Sequence, residues 1–183
     1  MITSRKELKR VLGIEQKMYL GGASFFHKIR LYFTNESLYR IWMFVKYLRK
    51  CEYWRNKKSF ISKAMLALAR RRKNKLGLML GIEIKENSFD EGLLIYHGNI
   101  VVNRDSKIGK NCKLHGMNCI GNNGKDQGCP SLGNNVDLGI GSSVIGRVNI
   151  ADNTIIGAGA VLVKNVEDAD GCYVGVPARK ITI

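Results

Sequence analysis

The chain has little of what holds small secreted or metal-bound domains together. It has five cysteines, Cys51, Cys112, Cys119, Cys129 and Cys172, an odd number with no CxxC pair. That argues against a disulfide framework and against a zinc site built on paired thiols, so no metal is expected. Histidine is scarce, with three in 183 residues. No apolar run approaches the ~18 residues of a membrane span; "LGLMLGI" (76–82) and "IWMFV" (41–45) are the longest candidates. The first residues, "MITSRKELKR", lack the apolar core of a signal peptide. The expected location is therefore the cytoplasm. Acidic residues are nearly missing from one half. Residues 1–80 hold 20 Lys and Arg against 4 Asp and Glu, whereas residues 81–183 hold 10 against 11. The net charge of +15 belongs to the first half, and the chain divides near residue 80.

What is present is a repeat. Stepping by six from Val102 meets Ile108, Leu114 and Ile120, then Leu132, Leu138, Val144, Ile150, Ile156 and Leu162. All are aliphatic. The next residue is usually tiny: Gly109, Gly121, Gly133, Gly139, Ala151, Gly157. Four residues after each aliphatic, small or β-branched residues recur: Ser106, Cys112, Val136, Ser142, Val148, Thr154, Ala160, Val166. Neither a helical nor a strand period produces this pattern, and a six-residue repeat is the signature of a parallel β-helix. Each hexad is one short strand and a turn, with the aliphatic inward and stacked on its equivalents. The repeat is interrupted once, by the polar stretch "GNNGKDQGCPS" between Ile120 and Leu132. A solenoid loop of this kind decorates the fold or covers a site.

The hexads, that loop, "IGAGAV" (156–161) and "GVPARKI" (175–181) resemble the left-handed β-helix acyltransferases, and within them the serine acetyltransferase-like group. The resemblance covers roughly residues 81–183. It implies a left-handed parallel β-helix, homotrimers that pair further through N-terminal helices, and acetyl-CoA as co-substrate. The expected organisation is a basic α-helical region at 1–80, the β-helix at 81–172 and a CoA-contacting tail at 173–183.

By the same resemblance His97, in "LLIYHGNIVVN" (93–103), is the general base. The chemistry agrees. A hydroxyl is a poor nucleophile at neutral pH, and an imidazole can take its proton as the oxygen attacks a thioester. The oxyanion formed needs preorganised donors, for which the backbone of Gly121 and Asn122 is placed by sequence. A carboxylate commonly orients such a histidine. Glu83, one residue out of the family's register, is the nearest match, and Asp90 is the alternative. His115, in "KLHGMNCIGNNG", is expected as a second active-site residue or as a turn histidine. His27 is expected to be structural. The positions matching the family's backbone contacts to acetyl-CoA are Ile140, Gly157 and Ala158, and the tail supplies Arg179 and Lys180 for phosphates.

The acceptor is argued from departures. True serine acetyltransferases have an acid before the catalytic histidine, where this chain has Tyr96. They have Arg-His before the loop proline, where it has Gly128-Cys129. A site without those ion partners is expected to favour a neutral acceptor. "CPSLGNNVDLG" (129–139) resembles colanic-acid and capsule acetyltransferases. The expectation is therefore O-acetylation of a sugar or polysaccharide precursor, with Tyr96, Asp90 and Cys129 meeting it. Serine O-acetylation is the alternative, and a β-helix scaffold without catalysis is the third.

The basic half reads as helices. "SLYRIWMFVKYLRKCEYW" places Leu38, Ile41, Trp42, Val45 and Leu48 on one face, with Arg40, Lys46, Arg49 and Lys50 mostly elsewhere. "SFISKAMLALARRRKNK" begins with capping serines and ends in Arg70, Arg71, Arg72 and Lys73, where cations suit a helix C-terminus. The region caps the β-helix and aids oligomerisation, or its charge meets an anionic membrane surface. No motif supports a nucleic-acid partner.

Overall fold

The structure, a computed structural model, describes residues 1–125 and 127–182; Asp126, inside the interrupting loop, and Ile183, the last residue of the expected tail, lie outside them. The chain forms two compact units, Met1–Ile82 and Glu83–Ile183. Among the described residues no helix is long and apolar enough to cross a membrane.

The first unit is helical: α1 (Arg5–Leu20), α2 (Phe25–Phe33), α3 (Ser37–Arg55) and α4 (Phe60–Leu80). Serines start three of them. Ser4, Ser24 and Ser59 each accept a hydrogen bond from the backbone N–H three residues on, satisfying a donor the helix leaves open. Helix α3 buries Ile41, Trp42, Val45 and Leu48 as its pattern requires, while Leu38 stays exposed.

Two expectations for this unit need correction. Arg49 is not on the solvent side of α3. It is buried, with Nη2 2.7 Å from Oε1 of Glu15 and Nη1 2.9 Å from Oε2 of Glu52. Burial pulls its pKa down, but the carboxylates of Glu52 and Glu15 outweigh that and leave it raised. A periodicity argument treats every cation as solvated and cannot see partners 34 residues away. The cluster from Arg70 to Lys73 is not the end of a helix either. Helix α4 runs on to Leu80, and Gly81, at φ +67°, caps it with its N–H on the Gly77 carbonyl.

The second unit is a parallel β-helix. After β1 (Ile82–Glu83) at the junction, its strands fall into three faces. One face holds β3 (Ile100–Val102), β6 (Cys119–Gly121), β9 (Ser143–Ile145) and β12 (Val161–Leu162). A second holds β4 (Lys107–Ile108), β7 (Ser131–Leu132) and β10 (Asn149–Ile150). The third holds β2 (Leu94–Ile95), β5 (Lys113–Leu114), β8 (Asp137–Leu138), β11 (Ile155–Ile156) and β13 (Cys172–Val174), closed by antiparallel β14 (Arg179–Ile181). The register stacks Ile95, Leu114, Leu138 and Ile156 on one another, and Val102, Ile120, Val144 and Leu162 likewise.

Every aliphatic of the six-step series is buried, and so are the small residues four further on. The tiny residue after each aliphatic has a steric reason. A Cβ on Gly139 would stand 2.6 Å from the Ala158 nitrogen in the next coil. One corner is held by a polar ladder. The side-chain amide of Asn111 donates to Asn135, that of Asn135 to Asn153, and that of Asn153 to the Asp170 carboxylate, at 3.2, 2.8 and 2.9 Å. All four residues have φ between 56° and 61°, a conformation asparagine and aspartate tolerate better than other side chains. The interrupting segment leaves between β6 and β7 and returns at buried Pro130, which fills the inward position that Ser106 and Val148 fill in neighbouring coils.

Candidate active site

The edge joining the third face to the first carries the candidate chemistry. In three successive coils the step across it is six residues: Leu114 to Ile120, Leu138 to Val144, Ile156 to Leu162. In the first coil, from Ile95 to Val102, the step is seven. The left-handed corner residues Asn99, Met117, Gly141 and Gly159 keep their register down the edge. The extra residue therefore falls within Tyr96-His97-Gly98, where the next coil has only His115-Gly116. His97 sits on the longest corner of the edge and is exposed.

The coil below supports it. Gly116, at φ +112°, lies under His97, and its N–H donates to Oδ1 of Asn118 at 2.9 Å. Asn118 is buried and donates in turn to the Gly139 carbonyl at 2.8 Å and to Ser142 Oγ at 3.1 Å. The Met117 N–H donates to the Gly98 carbonyl at 3.0 Å, closing the corner over His97. Gly116, Asn118 and the longer corner are positions that the six-residue period does not pick out. The seven-residue step between Ile95 and Val102 is the signal that marks them.

His115 stands beside this corner. Its ring is 4.7 Å from that of Tyr96. Its Nε2 is 2.8 Å from Oδ1 of Asp137, a close polar contact not aligned as a hydrogen bond. The other oxygen of Asp137 is 3.3 Å from Lys113 Nζ. Asp137 was not foreseen; it is reached because β8 stacks on β5 with Asp137 opposite Lys113.

The orienting carboxylate expected for His97 is not found. Among the described residues no side chain hydrogen-bonds its imidazole, and Glu83 is exposed. Asp90 follows Phe89, which bridges Ile108 on the second face, so it lies one face away from the His97 edge.

The expected cofactor positions divide. Gly116, Ile140 and Ala158 follow His97 down one edge: Gly141 N–H donates to the Gly116 carbonyl and Gly159 N–H to the Ile140 carbonyl. Ile140 and Ala158 are exposed and Gly157 is half-buried. Arg179 pairs with Val174 at the end of this series and is exposed. Lys180 is already engaged, its Nζ 2.9 Å from Oδ2 of Asp168. Gly121 and Asn122 lie at the other end of the first face. Gly121 is four steps along the chain from Met117, about 13 Å of strand. As oxyanion donors they are out of reach of His97 in the same subunit. A hexad pattern locates coils but not which ends of a strand meet.

Cys129 is half-buried in the interrupting loop, and Cys112 is buried. Burial pushes the Cys112 thiol up to about 12, so it is no nucleophile. Among the described residues no group of three or more His, Cys, Asp or Glu side chains is placed to hold a metal ion.

Comparison with known proteins bears on what this edge does. No family model matches the chain. A serine acetyltransferase of Synechococcus elongatus is 35% identical over 80 residues, 42% of this chain and 33% of that protein. One from Helicobacter pylori is 33% identical over 98 residues, 51% of this chain and 53% of that protein. The chain thus spans about half or less of the curated relatives it matches. Soybean serine acetyltransferase superposes with a TM-score of 0.70 at 20% identity, covering 95% of this chain and 69% of that one. The Neisseria gonorrhoeae enzyme gives 0.70 at 21%, covering 98% and 68%. A serine acetyltransferase solved in complex with CoA gives 0.70 at 17%, covering 97% and 71%.

The fold is the one seen in these solved structures, a parallel β-helix after an N-terminal helical region. These matches correct the expectation of an acceptor on a sugar or polysaccharide precursor. These relatives and structures are serine acetyltransferases. From sequence, the lack of an acid at Tyr96 and of Arg-His at Gly128-Cys129 reads as the lack of any ion partner. Lys113 and Asp137 place both signs of charge beside Tyr96 and His115, which weakens that inference.

Proposed function

We propose that the chain is an acetyl-CoA-dependent O-acetyltransferase whose acceptor is the hydroxyl of L-serine. The observation that carries this reading is His97, exposed on a lengthened corner of a β-helix similar to serine acetyltransferases. The free imidazole takes the hydroxyl proton as the serine oxygen attacks the thioester carbonyl. The C–S bond then breaks, and the CoA sulfur leaves with the proton that His97 returns. Direct attack needs no covalent intermediate on the protein and no role for Cys129.

Acetyl-CoA lies along the His97 edge in this reading. Ile140 and Ala158 offer their main chain to the pantetheine arm, and Arg179 is the cation free for its phosphates. In a homotrimer, Gly121 and Asn122 of a neighbouring copy would be the oxyanion donors, and each site would span two subunits.

Acetyl-CoA-dependent thiol release by the purified chain, with L-serine and with no acceptor, tests the proposal. Serine-dependent release is expected. No such release from protein that still binds acetyl-CoA by calorimetry would overturn it.

A further inference from the structure

The helical unit carries a face that the acetyl-transfer reading does not use. Helix α2, "FFHKIRLYF", has no buried residue. Phe25, Phe26 and Phe33 are 72%, 80% and 78% exposed, and Ile29 and Tyr32 are exposed beside them. Half of the six phenylalanines in the chain thus stand in water on nine residues. At 100° per residue Phe25, Phe26, Ile29, Tyr32 and Phe33 fall within one arc of about 120°. Lys28 and Arg30 flank that arc on opposite sides. Only Lys28 and Leu31 are half-buried. The helix therefore turns its apolar arc outward, the reverse of a helix packed on a core. Arg40 adds a further cation, its guanidinium 5.3 Å over the Tyr32 ring.

We infer that α2 seats this unit on an anionic lipid surface, with the arc in the acyl boundary and the cations on the headgroups. Charge complementarity selects that occupant. The arc is rimmed by Lys28 and Arg30 within a stretch of 80 residues holding 20 cations and 4 anions. A second copy docked on the arc would bring the same cations against each other, whereas anionic headgroups meet both the aromatic arc and its rim. Nine residues are too few to span a bilayer, so the helix lies in the plane of the interface. The inference is independent of the acetyl-transfer reading.

Co-sedimentation of the full chain with vesicles tests it. Binding is expected to phosphatidylcholine vesicles containing phosphatidylserine, about tenfold or more weaker to phosphatidylcholine alone, and weakened by salt. The triple variant Phe25→Ser/Phe26→Ser/Phe33→Ser changes only exposed side chains. It should bind about a hundredfold more weakly, with unchanged circular dichroism and unchanged mass by light scattering. Lys28→Glu/Arg30→Glu should reduce the preference for phosphatidylserine. Absence of sedimentation with anionic vesicles, or undiminished binding by the triple variant, would overturn the inference. So would a smaller assembly in the triple variant, which would show that a second copy covers the arc.

Discussion

Gly116 lies directly beneath His97. A carbon added at Gly116 would stand 2.7 Å from the His97 Cβ and 3.3 Å from the Gly98 carbonyl oxygen, on a backbone already at φ +112°. The coil below thus sets where the imidazole can be. Gly116→Ala is expected to displace His97 and to strain the corner by about 1–3 kcal/mol. Its turnover should fall more than its acetyl-CoA binding, as measured by thiol release beside calorimetry.

Replacing the imidazole itself separates chemistry from binding. His97→Ala should lower turnover by about 10²–10⁴-fold, the range for a lost general base. Acetyl-CoA affinity should hold, because the edge below His97 is unchanged. Turnover retained in this variant would sink the base assignment.

The buried Arg49 binds two carboxylates from different helices. Arg49→Met takes the guanidinium away from two buried carboxylates and should cost about 3–5 kcal/mol. Arg49→Lys, which keeps a positive charge between the two carboxylates, should be milder than Arg49→Met. Urea titration followed by the helical signal compares them.

Cys112 should resist alkylation in the native chain. Its thiol, raised to about 12 by burial, holds almost no thiolate at neutral pH. Mass spectrometry after iodoacetamide should find the half-buried Cys119, Cys129 and Cys172 labelled first, and Cys112 only on unfolding.

Acid should act partly through Asp152. Its carboxylate accepts the Asn134 backbone N–H at 2.7 Å and the Asn134 side chain at 3.2 Å, which lower its pKa from 3.8. A depressed folded-state pKa gives stability that is present above the ordinary value and lost as pH falls through the folded one. Asp152→Asn should flatten the acid limb of the stability profile below about pH 4. Thermal melts across that range measure it.

The β-helix was legible in the sequence because its period is local. Each hexad must send one aliphatic inward whatever its neighbours do, so Val102, Leu114 and Leu162 announce their burial by spacing alone. The same is true of the serine caps, whose hydrogen bonds span three residues. His97, Ile140 and Ala158 enter the candidate site through the resemblance, and the fold sets them along one edge.

What needed the folded chain is whatever depends on groups far apart in sequence. The Gly116 support of His97 rests on one coil being a residue longer than the next. The distance from Gly121 to that corner rests on which end of a strand each occupies. Arg49 finds Glu15 across 34 residues, and Asp137 finds His115 across 22. The outward arc of α2 could not be told from an inward one by periodicity, since both give the same pattern on a helical wheel. Sequence by itself determined which side chains a stacked coil must bury. Only the tertiary structure decided which polar groups meet at its edges, because hydrogen bonds and charge contacts act over a few ångströms of space and carry no period along the chain.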